Sequence, residues 1–388
     1  MLRLSDVLSI DDLRIVAKRR LPRLLYDLIE SGVEAEHGLI RNRSSFEKYT
    51  IQPRYLVDVS QVNLRTDLLG KTYEAPFGIA PTGFAGLLRE NADRMLAEAS
   101  AEAGIPFILS GASVASPEEI GPIGNNNSWY HFYPAKDISI TKDQLKRAWD
   151  SGFRTIVYTV DNPVYPKRER DMRNGFGRPI IKMPMYILLD ALLHPIWLLN
   201  YLRAGGMPVM RSWSKYAKVG ANGLEVASFF RSQSPSIQTW ADLDKFRNAW
   251  PGKFLLKGIQ HPEDANRAVN AGIDGLIISN HGGKSFDLLP SPLTTLPEIK
   301  IAVQGAVPIM LDSGIRRGSD IIIAKCLGAD FVFVGRATLY GTVAYGKIGA
   351  AKAIDILMQE ISISLALIGC PEFNSLTDEF LNVENSFI

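Results

Sequence analysis

Along the chain, short apolar runs alternate with amphipathic stretches that close on glycine. The runs are Phe77–Ala80, Phe107–Leu109, Trp129–Tyr133, Thr155–Thr159, Phe254–Lys257, Leu276–Ser279, Ile309–Leu311 and Phe331–Val334. Short runs rich in Ile, Val, Leu and Phe, bounded by turn residues, predict strands buried on both faces. The segments between them predict helices. In HPEDANRAVNAGIDG (261–275), Pro262 suits a first helical turn and Gly272 an end. In SDIIIAKCLGAD (319–330), Ser319 reads as the N-cap and Gly328 as the stop. A helical segment over roughly residues 10–50 precedes the first run.

Strands that alternate with helices build a parallel sheet, and eight of them point to a (β/α)8 barrel. A doubly wound open sheet is the alternative. The barrel makes a sharper demand, because chemistry then belongs just after each strand, at one shared mouth. Pro81, Thr82 and Gly83 follow the first run, and Ser110 the second. His131 and Tyr133 end the third, Thr159 and Asp161 the fourth, and Lys257 the fifth. Ser279 and His281 mark the sixth, Asp312, Gly314 and Arg316 the seventh, and Gly335 and Arg336 the eighth. Polar residues or glycine recur at the same end of all eight.

Composition supports a globular fold without changing it. The 388 residues are 46% hydrophobic and 22% charged, which excludes a disordered or collagen-like chain. Length permits one barrel domain, 1–388, with an insertion. A net charge of +2 gives no footprint for nucleic acid. Cys326 and Cys370 have neither disulfide-framework nor zinc-ligand spacing, so no metal site is expected. Acidic residues interrupt the N-terminus where a signal peptide needs an apolar core, so the expected location is the cytoplasm or the inner face of the cell membrane.

The two last loops carry the clearest physical signal. Gly314 and Gly335 allow close backbone approach, while Arg316 and Arg336 supply charge, as a phosphate site after strands seven and eight requires. No GxGxxG follows a strand and no P-loop occurs. Lys257, at the end of a buried strand, needs an anion or a polar cofactor edge. His281 and Asp161 end different strands at one mouth, which suits a general base and its orienting carboxylate. His37, His194 and His261 lack such partners and read as surface or structural residues.

Seven motifs in order carry a family resemblance: RLPRLLYDLIESGVEAE (21–36), APTG (80–83), TVDNPVYPKRERDMRNGF (159–176), LLKG (255–258), SNHGG (279–283), DSGIRRGSDI (312–321) and GRATLYG (335–341). With them the chain resembles the FMN-dependent α-hydroxy acid oxidases and dehydrogenases, in particular their bacterial mandelate and L-lactate dehydrogenase branch. The resemblance implies FMN as cofactor, a 2-hydroxy acid as substrate and a homotetramer. It implies that Pro81, Thr82, Gly83, Ser110, His131, Tyr133, Thr159 and Ser279 line the flavin, with Lys257 at its N1–C2=O edge. Asp312, Gly314, Arg316, Gly335 and Arg336 would hold the ribityl-phosphate end. The implied catalytic group is His281, Asp161 and Tyr133, and the implied substrate-binding group Tyr26, Arg168 and Lys284.

Three positions depart from the family pattern. Lys284 stands where an arginine usually grips the substrate carboxylate, and an ammonium cannot copy that planar fork. His131 replaces a glutamine, and either a neutral or a protonated ring is open to it. Ala112 stands where some relatives have tryptophan, leaving room for a larger substrate. An insertion at 177–218 adds six Lys/Arg and one Asp, a net of +5, around a mostly apolar stretch. Asp190, His194, Pro184 and Pro195 argue against a membrane crossing and for a segment lying in an anionic interface. Such attachment favours a quinone as electron acceptor. The alternatives are a soluble oxidase that uses O2 on a non-standard, biosynthetic substrate, and an FMN-binding protein without 2-hydroxy acid turnover.

Overall fold

The structure, a computed structural model of the chain, describes residues 2–124, 127–176, 183–234 and 236–383. All eight apolar runs form strands: β1 (Phe77–Ile79), β2 (Phe107–Leu109), β3 (Ser128–Phe132), β4 (Thr155–Thr159), β5 (Lys253–Ile259), β6 (Gly275–Ile278), β7 (Ile309–Leu311) and β8 (Phe331–Val334). They pair in parallel and in sequence, and β8 closes on β1. The barrel, not the open sheet, is the fold.

Two-residue periodicity sorts the side chains. Ala80, Ile108, Trp129, Val157, Leu255, Ile277, Met310, Phe331 and Phe333 fill the interior as one cluster. Their sequence neighbours Ile79, Leu109, Tyr130, Ile156, Leu256, Ile278, Leu311 and Val332 pack outward against the helices. Counting on by two from each interior residue reaches Thr82, Ser110, His131, Thr159, Lys257, Ser279, Asp312 and Gly335. The inward layer at the C-terminal end is therefore polar by register. The opposite end is closed by the hairpin Thr66–Leu68 and Lys71–Tyr73, with Tyr73 packed on Phe331 at 5.7 Å.

Helices α1 (Ile10–Arg20) and α2 (Arg23–Glu30) precede the barrel, and the C-terminus of α2 reaches its mouth. In the insertion, α3 (Met185–Leu192) and α4 (Pro195–Arg203) meet at a 94° bend. Residues 177–182 lie outside the described residues. Among the described residues no single helix is long and apolar enough to cross a membrane. The later part of the insertion is core: Met210 and Trp213 are buried, and the Trp213 indole donates to the Gly111 carbonyl at 2.8 Å. The exposed part is thus narrower than 177–218. One helix start also moves: α6 (Gly318–Cys326) follows α5 (Gly223–Gln233) and begins before Ser319. The Asp320 carboxylate accepts the N–H groups of Arg316 and Arg317, so the cap comes from inside the helix.

Candidate active site

The barrel mouth holds a cavity lined by residues from all eight strand ends or the loops after them, and by Leu28 and Ile29 of α2. On its floor, the Lys257 ammonium lies 3.1 Å from Asp312 Oδ2 and donates to Ser279 Oγ at 2.7 Å. All three residues are buried. Ser279 Oγ also accepts the His281 backbone N–H at 3.0 Å, which ties the lysine to the histidine turn. His281, Gly282 and Gly283 are all left-handed, with φ of 60°, 68° and 78°. Glycine adopts this conformation freely, but histidine does so at a cost, which is the kind of strain that active sites retain.

The turn aims the His281 ring across the cavity. Its Nδ1 meets Asp161 Oδ1 at 2.9 Å and the Asn162 amide at 3.0 Å. Its Nε2 meets the Tyr133 hydroxyl at 3.2 Å. Burial opposes ionisation of Asp161, but His281 and Lys257 outweigh it and hold the carboxyl below its usual value. Burial, reinforced by Asp161, pushes the Tyr133 phenol up, so it stays protonated and can donate. These three side chains form one hydrogen-bonded chain across the cavity.

His131 is fully inside. Its Nδ1 accepts from the Gly111 N–H at 3.3 Å, and its Nε2 lies 2.6 Å from Thr159 Oγ1. Accepting at Nδ1 fixes the neutral tautomer with hydrogen on Nε2. Burial, then the charges of Lys257 and His281, hold the ring well below the usual histidine range. Of the two states open from sequence, the structure takes the neutral one. Ser110, Thr159 and Ser279 sit behind the cavity wall and brace residues that face it.

At the seventh and eighth strands, Arg336 donates to the carbonyls of Ile29, Gly282 and Ser31 at 2.8, 2.9 and 3.2 Å. Burial and the nearby Arg316 bring its guanidinium down to about 10. Gly335 joins β8 to α7 (Arg336–Tyr345), so the helix N-terminus faces the same place. At Gly314, φ is +87° and an added Cβ would fall 2.4 Å from the Asn42 carbonyl oxygen. Two cations, a glycine turn and a helix N-terminus converge where an anion would relieve the repulsion.

The substrate-binding expectations fare unevenly. Arg168 lines the cavity, and its buried Nε has no hydrogen-bond partner among the described residues. Lys284 also lines it, but its ammonium donates to the Leu28 carbonyl at 2.9 Å and to Ser31 Oγ at 3.1 Å. Burial, then Arg336 and Arg168, hold that ammonium well below the usual lysine range. Tyr26 is not brought to the cavity. It lies in an outer groove with its ring near Lys18, whereas Leu28 faces the cavity. At about 100° per helical residue, the two positions point to opposite sides of α2. Sequence reading missed Leu28 and Asn162; both sit inside quoted motifs, but the face of a helix or turn is not visible in a motif. Among the described residues, no cluster of three His, Cys, Asp or Glu could hold a metal ion.

A (β/α)8 barrel with an anion cradle after strands seven and eight, beside a histidine–carboxylate pair, defines a class of barrel enzymes that use a phosphate-bearing cofactor. Residues 17–383 match the FMN-dependent dehydrogenases, and the chain belongs to that family. It is an oxidoreductase that depends on FMN and acts on 2-hydroxy acids. It is 38% identical over 381 residues to (S)-mandelate dehydrogenase of Pseudomonas putida, covering 98% of this chain and 95% of that protein. It is 35% identical over 374 residues to L-lactate dehydrogenase of Ectopseudomonas mendocina, covering 95% and 97%. The solved structure of the monotopic membrane protein (S)-mandelate dehydrogenase superposes with a TM-score of 0.93 at 37% identity, covering 98% of this chain and all of that one. The residues present fit FMN: Arg316 and Arg336 set two positive charges beside the N-terminus of α7, the donor set that a phosphate takes.

Proposed function

We propose that the protein oxidises a 2-hydroxy acid with a bulky apolar side chain to the 2-oxo acid, and delivers the electrons to a membrane quinone. The carrying observation is the His281 dyad in one cavity with a buried, unpartnered Arg168 Nε. Arg168 binds the substrate carboxylate, since a buried guanidinium donor without a partner calls for an anion. Lys284, held on the end of α2 by the Leu28 carbonyl and Ser31 Oγ, does not supply a second fork. The Tyr133 hydroxyl steadies the substrate oxygen, and His281 Nε2 takes a proton from the substrate. Asp161 keeps the ring oriented and stabilises its cation.

Bound FMN supplies the two-electron acceptor at this site. Lys257, buried on the cavity floor, would lie beside the flavin, where its positive charge would favour electron uptake. Neutral His131 lines the same cavity, its Nε2 held by Thr159 Oγ1. Pro81, Thr82 and Gly83 would line the flavin, and Gly314, Arg316, Gly335 and Arg336 would hold its phosphate. Leu28, Phe84, Ala112, Val164 and Phe230 make the remaining wall apolar, which supports a large substrate side chain.

The membrane part rests on α3 and α4. Leu192, Leu193, Ile196, Leu199 and Leu202 are exposed, Leu193 by 78%. The polar groups turn inward: Asp190 accepts the Arg23 N–H at 2.5 Å, and the Trp197 indole donates to the Leu87 carbonyl at 3.3 Å. An apolar outer face beside basic residues suits the interfacial plane of an anionic bilayer at the cytoplasmic side. The test is a steady-state comparison of lactate, glycolate and (S)-mandelate with a quinone analogue or O2 as acceptor. Preference for mandelate and quinone is expected. Preference for glycolate with rapid peroxide formation, or FMN binding without turnover, overturns the reading.

A further inference from the structure

Asn162 has a place in the catalytic group that its motif does not announce. It follows Asp161 in the turn after β4 and lines the cavity. His281 Nδ1 lies 2.9 Å from Asp161 Oδ1 and 3.0 Å from Asn162 Nδ2, so two side chains share one ring nitrogen, while Asn162 Oδ1 is buried without a hydrogen-bond partner among the described residues. With Asp161 ionised, Nδ1 carries a hydrogen directed at the carboxylate. An amide NH2 turned toward that N–H would set donor against donor. Turning the amide over puts its orphaned oxygen on that N–H, and amide orientation is assigned from the hydrogen-bond network.

We infer that Asn162 is a positioning residue for His281, its amide oxygen sharing the Nδ1 proton with Asp161 and steadying the imidazolium as the substrate proton is taken. The inference rests on the proposed role of His281 as base. The surroundings leave this task to few groups. On the other ring nitrogen stands the neutral Tyr133 hydroxyl. Lys257 approaches from β5, His131 from β3, Arg168 from the loop after β4, Lys284 from the His281 turn and Arg336 from α7. Lys257, Arg168, Lys284 and Arg336 are cations when protonated, and the His131 ring is neutral. Asp161 is the anion in contact with the ring, and an added oxygen dipole on Nδ1 works with it. Oδ2 of Asp161 is buried without a hydrogen-bond partner among the described residues, so that carboxylate is not reinforced from its far side.

The experiment follows flavin reduction by (S)-mandelate in the holoenzyme from pH 5 to 9, for wild type, Asn162→Ala and Asn162→Asp. The base works only while unprotonated, so the rate falls on the acid side. Removing an acceptor makes the ring harder to protonate. Asn162→Ala should move the acid limb down by about half a pH unit and slow the plateau about 3- to 10-fold. Asn162→Asp adds an anion and should move the limb up. Nitrogen-15 NMR of histidine-labelled holoenzyme should show Nδ1 protonated in wild type and its resonance displaced in both variants. A purely structural turn residue would change KM or FMN retention and leave the limb in place, which would overturn the inference. His281→Ala separates the two readings: full activity there removes the base assignment itself, whereas its loss with unmoved Asn162 profiles removes only the role of Asn162.

Discussion

Replacing Lys257 by methionine tests how the floor of the site is held. The ammonium is buried between Asp312 Oδ2 at 3.1 Å and Ser279 Oγ at 2.7 Å. Methionine fills a similar volume but leaves the Asp312 carboxylate without its cation. Breaking a buried pair from one side costs about 3–5 kcal/mol, because the remaining charge is stranded. Unfolding entropy near the midpoint is about 2.1 cal/mol/K per residue, or about 0.8 kcal/mol/K for this length, so the expected fall in Tm is about 4–6 °C. Lys257→Met/Asp312→Asn removes the stranded charge while keeping an acceptor for the Ser313 hydroxyl, which donates to Asp312 Oδ1 at 3.0 Å. The double variant should recover half or more of the loss. Thermal unfolding followed by circular dichroism, with FMN at one saturating concentration throughout, reads both values. A fall below about 1 °C in the single variant would refute the stranded-charge reasoning, as would a double variant no better than the sum of its parts.

Three further outcomes follow from the same geometry. Arg336→Met should weaken FMN binding about 10- to 100-fold by fluorescence titration, as loss of a charged hydrogen bond implies; Arg317→Met, whose guanidinium pairs with Glu360 at 3.0 Å, should not. His131 stays neutral when folded but takes a proton at about 6.5 when unfolded, so it costs stability as pH falls below that value. Between pH 7.5 and 5.5, urea unfolding of His131→Gln should lose about 1.4 kcal/mol less than wild type. Replacing 185–203 by a short polar loop should abolish sedimentation with anionic vesicles and leave FMN bound, whereas removing Trp213 as well should destabilise the barrel.

Much of this architecture can be read in the sequence because a barrel strand repeats every two residues. Once Val157 faces inward, Thr159 must too, and the same count carries Leu255 to Lys257 and Met310 to Asp312. Family likeness then gives these positions chemistry. It could not give the face of α2, where a tyrosine in a shared motif turned outward and Leu28 took the cavity. Nor could it show Lys284 capping the end of that helix, since the contact joins residues 256 apart in sequence. Asp190 read as an obstacle to membrane insertion. In the fold it anchors the insertion to the first turn of α2, a long-range contact that local pattern does not contain. Asn162 drew no notice inside its motif, because its contact with His281 joins residues 119 apart in sequence.

The most direct measurement is anaerobic mixing of the purified, FMN-loaded protein with (S)-mandelate, watching the flavin absorbance, for wild type and His281→Ala. Wild type should bleach within seconds. His281→Ala should keep its FMN and bleach slower by several orders of magnitude, because the cavity then lacks the imidazole proposed as the base. Bleaching at the wild-type rate in His281→Ala would contradict the assignment of the base. No bleaching of wild type by mandelate, with rapid bleaching by glycolate, would contradict the bulky substrate.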